Sequence, residues 1–162
     1  AQYMSVLVSA ESKYDLWKKE PIKYPLSSDE VQGYQLFQQK CSSCHSGALF
    51  TNQSFINNGL PPNPRINDLG RETVSGDPND RYKFKVASLR NVAYTAPYMH
   101  DGSFRTLESV LRFYNEGMVY SETIDEQLVN DGRIGIPMTA EEQRLIIAFL
   151  KTLSDKNFIT KH

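Results

Sequence analysis

Cysteine is scarce in this 162-residue chain: Cys41 and Cys44 are the only two. No framework of several disulfides can therefore support the fold. Long hydrophobic runs are missing as well. The stretch from Leu145 to Leu150 follows Arg144 directly and falls far short of the ~20 apolar residues that cross a bilayer. Neither sign of charge is in excess, with 18 basic and 19 acidic residues and a net charge of −1, so the basic footprint of a nucleic-acid binder is absent. There are no internal repeats and no low-complexity tracts. No charged segment leads into an apolar one at the N-terminus, which says nothing about compartment. What is present is an ordinary share of apolar residues, 40%, in a length typical of one domain. A single domain over residues 1–162 is expected, with no membrane span and no nucleic-acid partner.

Three segments read as helices with their own start signals. The first follows Pro25: Ser27 and Glu30 have the spacing of a capping box, and Val31, Tyr34 and Phe37 recur at helical intervals up to Lys40. It leads straight into Cys41. The second begins near Thr106 and places Leu107, Val110, Leu111 and Tyr114 on one face, stopping at Gly117. The third opens with Thr139 and Glu142 and turns Leu145, Ile146, Phe149, Leu150 and Leu153 inward, a pattern that predicts packing on the first helix. Residues 1–24 show Tyr3, Val6, Leu7, Leu16 and Trp17 without a clean period and suggest a short helix followed by irregular chain. Between 46 and 96, Gly, Pro, Asn and Asp crowd together, as in Gly59-Leu60-Pro61-Pro62-Asn63-Pro64, where turns replace helix. So long a loop region in a compact domain needs something to wrap.

Cys41-Ser42-Ser43-Cys44-His45 supplies the object. Cysteines at i and i+3 can reach the two vinyl groups on one edge of a porphyrin, and the histidine that follows can bind the iron. Covalent attachment keeps the cofactor in a small domain without a deep pocket. Two other uses of Cys-x-x-Cys fit less well. A structural zinc needs four ligands, and beyond the motif only His100 and His162 remain. A redox dithiol would sit after a buried strand at a helix start, whereas here an amphipathic helix leads in. The expected fold is therefore mainly α, a cytochrome c-like helical domain wrapped around one covalent haem c, with long irregular loops. Residues 27–155 form the haem-binding core and 1–26 an N-terminal extension. Haem is attached to such motifs outside the cytoplasmic membrane, so a periplasmic, exported location is expected.

A bound haem leaves a second axial position, for which Tyr114, Met118, Met99 and Met138 compete. Tyr114 falls on the apolar face of the second helix, where a buried phenol needs a polar partner; iron would serve, and so would a backbone carbonyl. Met118 lies just past Gly117, where the chain has left the helix.

Phe84-Lys85-Val86-Ala87-Ser88-Leu89-Arg90-Asn91-Val92, followed by Thr95-Ala96-Pro97-Tyr98-Met99-His100-Asp101-Gly102, resembles the C-terminal haem domain of bacterial di-haem cytochrome c peroxidases and MauG-like enzymes. Ser12 to Asp15, Gly33 to Gly47, Thr106 to Gly117 and Ala148 to Leu153 extend the likeness over most of the chain. The resemblance implies an electron-transfer role: accepting electrons from a small donor such as a cytochrome c or cupredoxin and relaying them to a second haem in an N-terminal peroxidatic domain. That domain carries its own haem motif and a catalytic glutamate, and neither appears here. The chain is thus similar to one half of such a molecule, and alone it is not expected to turn over peroxide; no catalytic residue is assigned to it. The likeness also implies Arg90 facing the haem propionates, backbone carbonyls of Thr95 and Pro97 contributing to an interdomain calcium, a supporting hydrogen-bond role for His100, and Tyr114 as the distal ligand beside His45. Met99 and Met138 look like packing residues in the family motifs. A homodimer is compatible with this reading. The alternative is a stand-alone mono-haem cytochrome that shuttles electrons, from which the long segment 46–96 separates the chain. Gas or redox sensing has no positive feature behind it.

Overall fold

The computed structural model describes residues 7–161, and helices carry most of its regular structure. The principal helices begin where a side chain satisfies N–H groups left free by the first turn. Ser12 with Asp15 opens α1 (Lys13–Lys19), and Ser27 with Glu30 opens α2 (Ser28–Lys40). Thr106 with Ser109 opens α3 (Leu107–Arg112), Thr139 with Glu142 opens α4 (Ala140–Lys151), and a last short helix, α5, covers Lys156–Lys161. The expected helices after Pro25 and Thr139 are thus present at the expected starts. α1 shows that the N-terminal stretch holds a short helix, while the part of that reading resting on Tyr3 and Val6 lies outside the described residues.

α2 and α4 cross at Gly33. A β-carbon there would lie 2.0 Å from the Leu145 carbonyl oxygen and 3.0 Å from Cβ of Phe149, so only glycine lets the two helices approach this closely. Around the crossing, Phe37 packs with Ile146, Phe149, Leu150 and Leu153, and α3 adds Leu107 and Leu111. Residues 12–17, within the stretch read as an extension, are part of the same packed unit. Ser12 is fully buried, and Tyr14 makes edge contacts with Phe50 and Phe149 at centroid distances of 5.1 and 5.8 Å. The Asp155 carboxylate accepts from the backbone N–H of Ala10 and Glu11, tying this segment to the chain after α4.

Segment 46–96 contains little regular structure. β1 (Phe55–Ile56) pairs antiparallel with β2 (Phe84–Lys85), with one helical turn at Glu72–Ser75 and 3-10 turns at Pro78–Asp80 and Val92–Tyr94 between and after them. A second antiparallel pair, β3 (Val129–Asn130) and β4 (Arg133–Ile134), closes through Asp131 and Gly132. Both turn residues have positive φ, as a tight hairpin requires.

The second predicted helix departs from expectation. Its α-helical part ends at Arg112, and Phe113–Gly117 form a π-helical turn. The physical reason lies in the returning chain. The Ile136 N–H donates to the Tyr114 carbonyl (2.7 Å), and the Met138 N–H donates to the Asn115 side-chain oxygen (2.9 Å). The Tyr114 carbonyl, which a continuing α-helix would satisfy internally, is satisfied from outside, and this accommodates a wider turn.

Candidate functional site

α2 delivers the chain to the cysteine motif as a hydrogen-bonded turn: the N–H groups of Cys44 and His45 both donate to the Cys41 carbonyl (3.3 and 2.9 Å). Cys41 and Cys44 are unpaired. Burial pushes the Cys41 thiol up to about 12, and it raises Cys44 as well. Both are therefore protonated thiols at neutral pH, unlike the acidic cysteine of a redox dithiol.

His45 is held from outside the motif. Its Nδ1 lies 3.1 Å from the Phe50 carbonyl oxygen. A carbonyl only accepts, so Nδ1 carries the proton and Nε2 the lone pair. Burial lowers the imidazole pKa, partly offset by the Phe50 and Ala87 carbonyls, which keeps the ring in the neutral form that binds metal. Phe50 occupies this place with φ of 52° while 3% exposed, an uncommon backbone for a bulky residue. Its ring is locked by Tyr14 and Phe37.

Tyr114 stands in the π-helical turn and, like Cys41, packs against the core; it is near enough to both motif cysteines that their thiolate forms would raise its pKa. Burial pushes its phenol up, and a hydrogen bond from Asn58 opposes this. Two thiols one turn apart, an imidazole with a defined free nitrogen, and a phenol close to both thiols form a donor set that fits a covalently held haem.

The other expected residues are placed as follows. Met99 has φ of 68°, and its sulfur accepts from Asn58 Nδ2 at 3.6 Å. Met118 caps the π turn in extended conformation and lies against Gly59. Met138 is buried in the core. Arg90 makes a two-point ion pair with Asp15 (2.8 and 2.9 Å), and its Nε donates to the Ala48 carbonyl (2.8 Å). Thr95 and Pro97 lie at the surface. His100 stacks on Phe84 at a centroid distance of 3.6 Å with the planes 7° apart. His162 lies outside the described residues. Among the described residues, no three or more His, Cys, Asp or Glu side chains are grouped as a metal site.

Sequence reasoning missed Asn58, Phe50 and Asp15. Asn57-Asn58-Gly59 carried only a turn signal, and nothing local pairs Asp15 with Arg90.

No family model matches the chain. Cytochrome c551 peroxidase of Nitrosomonas europaea is 36% identical over 159 residues, covering 95% of this chain and 42% of the relative. Methylamine utilization protein MauG of Methylorubrum extorquens is 34% identical over 157 residues, covering 94% and 42%. Among solved structures, a MauG-like protein associated with microbial copper homeostasis superposes with a TM-score of 0.76 at 33% identity, covering 93% of this chain and 54% of that one. The chain spans about half the length of the relatives it matches. In sequence across nearly all its length, and in its helical fold, the chain belongs to the bacterial cytochrome c peroxidase and MauG-like family.

Proposed function

We propose that the chain is the C-terminal, haem-bearing electron-transfer half of a di-haem cytochrome c peroxidase or MauG-like oxidoreductase. A haem c held here supplies an iron centre that gains and loses one electron. Cys41 and Cys44 would hold it through thioethers, and His45 and Tyr114 would be its iron ligands. The observation that carries this reading is an imidazole tied at Nδ1 to Phe50, in a motif whose two cysteines lie near the Tyr114 phenol.

The residues set the electronics. A phenolate is hard and anionic, so it favours ferric iron and a lower potential than a methionine thioether would give. Arg90 spends three of its five N–H groups on Asp15 and Ala48 and has others for a propionate. The carbonyls of Thr95 and Pro97, at the surface, suit a calcium shared with a neighbouring domain. Electrons arrive from a small donor protein such as a cytochrome c or cupredoxin and leave for a second haem in the other half of the molecule, where hydrogen peroxide is the acceptor. The location is periplasmic, since the thioethers are made outside the cytoplasmic membrane.

Mass spectrometry and a redox titration of the haem-loaded chain test this reading. The expected result is one added haem, a single one-electron centre and no peroxide turnover by the chain alone. Robust turnover by the chain would overturn the electron-transfer role. A ferric band typical of methionine sulfur, retained in Tyr114→Phe and lost in Met118→Leu, would overturn the distal assignment.

A further inference from the structure

One side chain that no motif singled out reaches the Tyr114 phenol. Nδ2 of Asn58 lies 3.2 Å from Oη of Tyr114 and 3.6 Å from Sδ of Met99. An asparagine amide can be built either way round, but its neighbours decide the matter here. The Leu60 N–H donates to Oδ1 (3.4 Å), and a thioether can only accept. Both contacts turn the NH2 group toward Tyr114. The phenol oxygen must then accept from Asn58, because an amide NH2 offers no lone pair. Its remaining valence, a proton or a metal, points in another direction.

The donor is positioned without help from the phenol. Asn57, 2% exposed, clamps the turn: its Oδ1 accepts from the Gly59 N–H (2.9 Å), and its Nδ2 donates to the Ser121 and Thr123 hydroxyls (2.8 and 2.9 Å). The Asn57 and Gly59 carbonyls accept from the N–H groups of Asp125 (3.0 Å) and Val119 (2.9 Å). Tyr114 is set separately, by the Ile136 N–H on its carbonyl. Two independent pieces of scaffold therefore bring one donor to one acceptor, the arrangement of a preorganised site.

We infer that Asn58 is a positioning residue for the distal ligand: its amide aims the Tyr114 oxygen and draws negative charge from it, while Met99 holds the amide's second hydrogen. The inference rests on the assignment of Tyr114 as ligand. A phenolate that donates into ferric iron is a weaker donor while it accepts a hydrogen bond. Removing that bond makes the ligand more electron-rich, which stabilises the ferric state.

The test is the phenolate-to-iron charge-transfer band and the midpoint potential of the haem-loaded chain in Asn58→Leu and Asn58→Asp. Asn58→Leu keeps similar bulk without a donor. Asn58→Asp keeps the oxygen that accepts from Leu60 and the preference for this turn, so it remains informative if the leucine variant does not fold. Both variants are expected to move the band to longer wavelength and to lower the potential, whereas a merely loosened pocket would lose the band. A band that disappears in Tyr114→Phe but does not move in either Asn58 variant overturns this inference alone. A protein without the band, or one that keeps it in Tyr114→Phe, overturns the ligand assignment and this inference with it.

Discussion

The Phe50 carbonyl oxygen lies 3.1 Å from Nδ1 of His45, and Phe50 presents it from a left-handed backbone with φ of 52°. The hydrogen bond that defines the histidine's free nitrogen therefore depends on an unfavourable backbone, held in place by the burial of one aromatic ring.

Phe50→Ala removes that ring from among Tyr14, Phe37 and Phe149. Truncation of a buried phenylalanine costs about 3–5 kcal/mol, and thermal unfolding of the haem-loaded chain should show a loss of that size. The variant should also broaden the ferric spectrum, because the orientation of His45 is no longer fixed.

Gly33→Ala tests the helix crossing. With the Leu145 carbonyl oxygen 2.0 Å from the new methyl carbon, α2 and α4 must separate, at a cost near or beyond the ~3 kcal/mol upper end for overpacking. Denaturant unfolding measures it, and a variant of unchanged stability would contradict the packing described.

Acid should weaken the attachment of the N-terminal segment. Burial raises the pKa of Asp15, but hydrogen bonds from Arg90 and Ser12 outweigh it and leave the carboxyl below its ordinary 3.8. Asp155 is also held low, by the N–H groups of Glu11, Phe158 and Ala10 working against burial. A carboxyl depressed in the folded state contributes stability that is complete above its unfolded value and is lost as pH falls through the folded one. Unfolding free energy should thus drop as pH goes below about 4, and Asp15→Asn should flatten that slope while lowering stability at neutral pH.

Cys44→Ala should leave at most one thioether, through Cys41. The pyridine haemochrome band is expected to shift to longer wavelength, as one vinyl group stays unsaturated, and the melting temperature should fall. An unchanged band would show that Cys44 is not an attachment point.

Tyr114→Met replaces a hard anion with a soft neutral ligand. The midpoint potential should rise, by a sizeable part of the ~0.8 V range over which axial ligands tune haem. A potential unchanged from the parent would place the distal ligand elsewhere.

Which features were legible in the sequence follows from how local each one is. Ser27 with Glu30, and Thr139 with Glu142, announce helix starts because the capping bonds join residues three apart. Cys41, Cys44 and His45 announce haem because their spacing matches two vinyl groups and an iron. What tertiary structure decided depends on groups far apart in the chain. Asp15 and Arg90, 75 positions apart, find each other only when α1 packs on the core. At the π turn the Ile136 N–H reaches the Tyr114 carbonyl, and no helical periodicity anticipates a bond supplied by the returning chain. Asn58 reads as one more turn residue until the fold brings it to a phenol 56 positions away. The sequence by itself thus determined the Cys-x-x-Cys-His pattern and where the helices begin; the fold decided which side chains gather beside that pattern and how they are aimed.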